Sequence, residues 1–173
     1  MSTATVTPAD IGVLDVLREQ GKVIVRVLHL NVEGLTQDDS LIQPQPGGNC
    51  LNWNVGHLVW VNEQLLAILG QPPVLGEAAL ERYRRGSEPL RNPAEAMPLE
   101  KLMKAWDEQW PRIDAGLVAL TPERMAEPAP FSPRKNPDET VGTLLSIDLF
   151  HQAAHTGQTS LLRRLAGKDG AIK

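Results

Sequence analysis

Seven apolar residues, Leu99, Met103, Trp106, Trp110, Ile113, Leu117 and Leu120, follow one another at gaps of 4, 3, 4, 3, 4 and 3. That alternation keeps one stripe of a helix turned toward a neighbour, the seam of a packed helical bundle. Pro98 opens the run. Pro111 falls inside it, where a missing N–H predicts a kink or a break. No segment reads convincingly as a strand, and no internal repeat is visible.

Three more segments carry helical spacing. The first has a start signal in Thr7-Pro8-Ala9-Asp10: an N-cap, proline at N1 and an acid at N3. Ile11, Leu14, Leu17, Ile24 and Leu28 form its stripe, and Gly34 is its expected stop. The second runs from about Asn52 to Leu69, with His57, Val61, Leu65 and Ile68 on one face, and ends at Gly70 and Pro72-Pro73. The fourth runs from near Thr140 to Gly167.

The polar, Pro- and Gly-rich stretches 35–50 and 121–137 read as loops. The long connection 71–97, with a short helix around Ala78 to Tyr83, is expected to cross the bundle. Antiparallel neighbours would need only a short loop. The expected fold is all-α: a four-helix bundle with a long crossover between the second and third helices, one domain over residues 1–173.

The fourth segment has a seam of its own: Leu144, Asp148, His151, His155, Gln158, Leu162 and Leu165. Its ends are apolar and its middle is polar. A stripe meant only for packing would not hold these residues where leucine belongs. Buried polar groups cost roughly 1–3 kcal/mol each unless paired. His151 and His155, four apart, lie on one helix face and can grip one metal ion at roughly 2.1 Å each. His57 in the second helix is a candidate third ligand. Three imidazoles without a fourth protein ligand leave an open site that chemistry can use.

Asp148 and Gln158, one turn before and after the pair, are candidates to orient the imidazoles, and Asp148 also to act as a base. Trp53 and Trp60 flank His57 and read first as core. His29, with no visible partner, reads as structural. Cys50 is a possible soft ligand, although a lone cysteine beside a turn is more often inert. The segment HQAAH shares its spacing with the HExxH metalloprotease motif, but Gln152 stands where the general base belongs.

Bulk properties narrow the function. The net charge is −4 and the sequence pI about 5.6, without a basic patch alternating with aromatics, so nucleic-acid binding is not expected. The cluster Arg82 to Gly86 reads as a solvated turn. A single cysteine, no apparent signal peptide and no membrane-length apolar run point to the reducing cytoplasm, away from the membrane.

Together, Gly56-His57-Leu58 and the segment HQAAHTGQTSLLRRL from His151 to Leu165 resemble the DinB-like superfamily, with its YfiT-type proteins. The helix order and long crossover agree over essentially the whole chain. The resemblance implies a four-helix bundle, often a homodimer. It also implies a divalent metal ion held by three histidines, here His57, His151 and His155. Its wider membership includes thiol-dependent transferases and isomerases that use bacillithiol or mycothiol.

Imidazoles suit Zn, Ni, Cu or Fe. An ion there can acidify water for attack on an ester or amide, or favour the thiolate of a small thiol for attack on an electrophile. Hydrolysis gains from a nearby base, which position 152 does not supply. Thiol transfer is preferred, in large part because the resemblance implies it, with a hydrolase or a non-catalytic metal-binding stress-response protein as alternatives.

Overall fold

The computed structural model describes residues 12–172. In chain order its α-helices are α1 (Val13–Val32), α2 (Gln37–Ser40), α3 (Leu51–Ile68), α4 (Leu99–Val118), α5 (Pro122–Ala126) and α6 (Val141–Leu165). Two 3-10 segments, Glu77–Tyr83 and Pro93–Glu95, lie between α3 and α4. Among the described residues there is no strand, only an isolated antiparallel bridge between Pro128 and Thr140. The start signal at Thr7 to Asp10 lies outside the described residues.

The four long helices close a ring: α3 packs on α4 and α6, and α1 packs on the same two. Side-chain bonds fix the directions. Arg18 and His29 of α1 meet Asp114 and Asp107 of α4, so that pair is antiparallel. His57 and Asn54 of α3 meet His151 and His155 of α6, also antiparallel. Asn31, late in α1, meets Thr159, late in α6, so these run parallel. Asn52, at the start of α3, bonds the carbonyl of Met97 just before α4, so α3 and α4 are parallel neighbours too. This explains the long crossover. The chain must return the length of an 18-residue helix, about 27 Å, before α4 can begin.

All seven residues of the α4 seam lie in the core or pack against it. The helix runs unbroken through Pro111, so the break that the proline allowed does not occur. Pro111 is exposed, so the Asp107 carbonyl it leaves unpaired sits on the solvent side, where water can serve it. α3 is buried nearly all round rather than on one face, because α4, α6 and the crossover all cover it. Two expected loops contain short helices with legible caps. Thr36 and Asp39 cap α2 reciprocally, and Thr121 caps α5 with Pro122 at its first position.

The α6 seam needs a larger correction. Gln158 and Leu165 are exposed, while Leu145, Leu149, Gln152, Thr156 and Thr159 are buried. A strict 3.5-residue repeat drifts about 20° per heptad from a straight helix of 3.6 residues per turn. The seam therefore follows one edge of the buried face rather than its centre, with Leu144, Asp148 and Leu162 inside it and Gln158 and Leu165 outside.

Candidate metal centre

The helix register brings His57, His151 and His155 together, with one ligand-capable atom from each all within 4.8 Å of one another. His151 and His155 sit one turn apart on α6, and His57 faces them from α3, its Nε2 3.3 Å from His151 Nε2. His57 lies between two indoles, Trp53 at 4.8 Å and Trp60 at 5.7 Å between centroids, each nearly parallel to it. The two tryptophans thus have a place at the site, beyond ordinary core.

The outer nitrogens of two rings are held by acceptors. His57 Nδ1 lies 2.8 Å from the carbonyl oxygen of Tyr83, which can only accept, so that nitrogen carries the proton. His155 Nδ1 lies 2.8 Å from Asn54 Oδ1. Asn54 is turned that way because its amide N–H groups donate to the carbonyls of Asn49 and Cys50. His155 Nδ1 is therefore also the protonated nitrogen. Both rings then present an Nε2 lone pair inward, the arrangement metal-bound histidines adopt when the other N–H is given to a carbonyl or similar acceptor.

Burial pushes all three imidazoles toward the neutral form. His151 and His155 are lowered to about 4, by desolvation and by their histidine neighbours. His57 is lowered by desolvation. Neutral imidazoles with converging lone pairs are the form in which histidine binds a divalent ion, so this donor set fits one.

Gly56 explains part of the geometry. A Cβ there would come within 2.2 Å of the Tyr83 ring. Glycine lets Tyr83 lie flat on α3, which brings its carbonyl to His57. The tyrosine is pinned further by donating to Asn52 Oδ1 at 2.9 Å and accepting from the Met97 N–H at 2.7 Å. Trp53 in turn donates to Ser87 Oγ at 2.9 Å, tying the crossover over the site.

The remaining candidates separate. Asp148 is buried beside the histidines in a cavity of about 1050 Å3, with one carboxylate oxygen lacking a partner among the described residues. Burial, helped by the negative charge of Glu139, raises its carboxyl to about 7. Gln158 is exposed, yet its side chain still favours the protonated form of His155, while Asn54 holds His155 Nδ1. Cys50 is fully buried at the start of α3 and desolvation raises its thiol, which fits an inert residue. His29 bonds Asp107 far from the site, so it has the partner that was not visible in sequence. Arg85, read as part of a solvated turn, lines the same cavity.

A family model described as the DinB superfamily matches residues 23–159. No curated protein matches the chain. Among solved structures, the fold resembles the crystal structure of a conserved protein of locus from Enterococcus faecalis. The TM-score is 0.70 at 16% identity, over 91% of this chain and 99% of that one. No described helix is long and apolar enough to cross a membrane.

Proposed function

The chain belongs to the DinB superfamily, and on that footing we propose that it binds one divalent metal ion through His57, His151 and His155 and uses it in transfer of a low-molecular-weight thiol to an electrophile. The observation that carries this reading is the convergence of three neutral imidazoles, two with their outer N–H groups already held by Tyr83 and Asn54. Three protein ligands leave positions for substrate, whereas a purely structural ion is normally closed by four. When bound, the ion supplies positive charge that favours thiolate over thiol.

The surrounding residues have distinct tasks. Trp53 and Trp60 keep water from His57 and strengthen electrostatic interactions there. Tyr83 and Asn54 fix the rings. Asp148, titrating near neutral pH on an oxygen no other group claims, can accept the proton that the thiol loses.

Zn, Ni or Fe fits the imidazole donors. Elemental analysis of tag-free protein is expected to find one such ion per chain, and alanine at any of the three histidines to lower metal content sharply. Wild-type content in all three variants would overturn the proposal. Chelation is expected to lower stability by about 2.7 kcal/mol relative to protein held at a hundredfold excess of metal over Kd. In Co(II) or Ni(II) protein, a small thiol such as bacillithiol or mycothiol is expected to give a thiolate-to-metal charge-transfer band that His151→Ala abolishes.

One observation favours metal-dependent hydrolysis as a second reading: Asp148 supplies the base that position 152 lacks. A spectrum insensitive to thiols alongside metal-dependent ester hydrolysis would select it. We also propose a cytoplasmic homodimer of single-domain chains, supported by Val16 and Val23 on α1 and Leu161 on the adjacent α6, all strongly exposed. A light-scattering mass near 18.9 kDa would refute the dimer.

A further inference from the structure

The charged side chains around the histidine cavity are not all paired, and one of the unpaired ones is a cation. Arg134 lines the cavity but is neutralised: it donates to both oxygens of Glu139, at 3.0 and 3.2 Å. The three imidazoles are neutral near pH 7. Asp148 is also unpaired, a buried carboxyl with no ion pair among the described residues.

Arg85 is different. Its one hydrogen bond among the described residues is from Nη1 to the carbonyl of Pro133, at 3.2 Å. No described carboxylate forms an ion pair with it, although Arg82 and Arg84 beside it in the chain each have one. A guanidinium carries five N–H donors in a planar fork that matches a carboxylate. Most of that fork is free. Arg85 is exposed, its tip bonded to Pro133, and Tyr83, two residues back in the chain, holds His57 through its carbonyl.

The other wall of the cavity is aromatic. Trp60, Phe131 and Phe150 line it, and Phe150 is 76% exposed. Large apolar rings rimming a concave site in water mark a surface that covers something apolar. The cavity is of the size that holds a small organic molecule.

We propose that this cavity binds an amphipathic organic anion, its charged head paired with the guanidinium of Arg85 and its apolar body lying on Trp60, Phe131 and Phe150. The proposal names a substrate class for the site of the metal reading and rests on that reading only for the chemistry that follows binding. Arg85 is a specificity-determining residue here, set beside the histidines.

The test uses 4-phenylbutyrate and its uncharged amide as probes, titrated calorimetrically into full-length protein, both nickel-loaded and metal-free. Wild type is expected to bind the carboxylate at least about tenfold more tightly than the amide in both forms, as charge-assisted hydrogen bonds imply. Arg85→Gln is expected to erase that preference while keeping affinity for the amide, metal content and melting temperature. Arg85→Lys is expected to restore part of it, as a point charge without the fork. Survival of the full preference in Arg85→Gln, or a preference present only in nickel-loaded protein, would overturn the proposal. If the protein takes up no nickel, the metal reading fails, and the metal-free titration still decides this one.

Discussion

Glu63 and Asp148 are both buried carboxylates facing the bundle interior, and they are treated in opposite ways. Glu63, 3% exposed on α3, accepts from the backbone N–H groups of Val74, Leu75 and Gly76, at 3.1–3.2 Å, and from Gln109 Nε2 at 2.6 Å. Asp148, 7% exposed on α6, keeps an oxygen with no partner among the described residues. Burial alone therefore does not separate these two carboxylates; the partners each one has do. The first carboxylate staples the returning crossover to α3 and α4. The second is held in reserve beside three imidazoles.

The sharpest way to break this contrast is to remove the staple. Glu63→Ala strips the acceptor from three backbone N–H groups and from Gln109. Leaving several donors unpaired in the interior is expected to cost about 3–5 kcal/mol in denaturant unfolding. Protein that still folds is expected to keep its metal content. A loss below about 1 kcal/mol would mean that the Glu63 contacts are incidental.

The opposite change at Asp148 sharpens the contrast through pH. In metal-free protein the histidines have lowered folded pKa values, so their contribution is present above about 6.5 and is lost as pH falls toward about 4. Asp148 has a raised value, so its contribution is present below its ordinary 3.8 and is lost as pH rises to about 7. Between about pH 4 and 6.5 the two oppose. The three site histidines outweigh one carboxyl, and stability is expected to rise with pH. Asp148→Asn removes the opposing group. The rise is then expected to steepen by about one proton, roughly 1.4 kcal/mol per pH unit, in melts of chelated protein. An unchanged slope would show that Asp148 does not hold its proton in that range.

The long helices and the histidine pair were legible because both are local signals. A 4, 3 alternation over α4 and an i, i+4 spacing in α6 need no knowledge of other segments. The companion groups are not local. Asn54 reaches His155 across 101 residues and the Tyr83 carbonyl reaches His57 across 26. Only the bundle's register, set by the parallel α3–α4 pair and its long return, brings them together. A backbone carbonyl leaves no trace in composition, and a glycine such as Gly56 reads as a weak helix residue until the ring over it is seen. The caps of α2 and α5 were readable, as Thr36 with Asp39 and Thr121 with Pro122, but proline and glycine density in those stretches outvoted them. Arg85 was hidden differently. Three arginines in four residues look like a solvated turn, and only pairing shows which one is left over.

The smallest expected effect comes from the fourth histidine, and it guards the comparison from the other side. His29 has a structural partner that its sequence neighbours do not show: its Nε2 lies 2.7 Å from Asp107 across the α1–α4 contact, with side chains 45% and 51% exposed. An exposed pair gains little, because water screens the attraction and two side chains must be ordered to make it. His29→Ala is therefore expected to cost less than about 1 kcal/mol and to leave metal content at the wild-type level. The same substitution at His57, His151 or His155 is expected to do the reverse: a large loss of metal, with a smaller fall in metal-free stability between neutral and low pH because a buried base no longer resists protonation. The decisive measurement pairs metal content with metal-free melts at neutral pH and at about pH 5 for all four alanine variants. If His29→Ala lost metal as the others do, the centre would extend beyond the α3–α6 face, and the division between partnered and reserved groups would have to be redrawn.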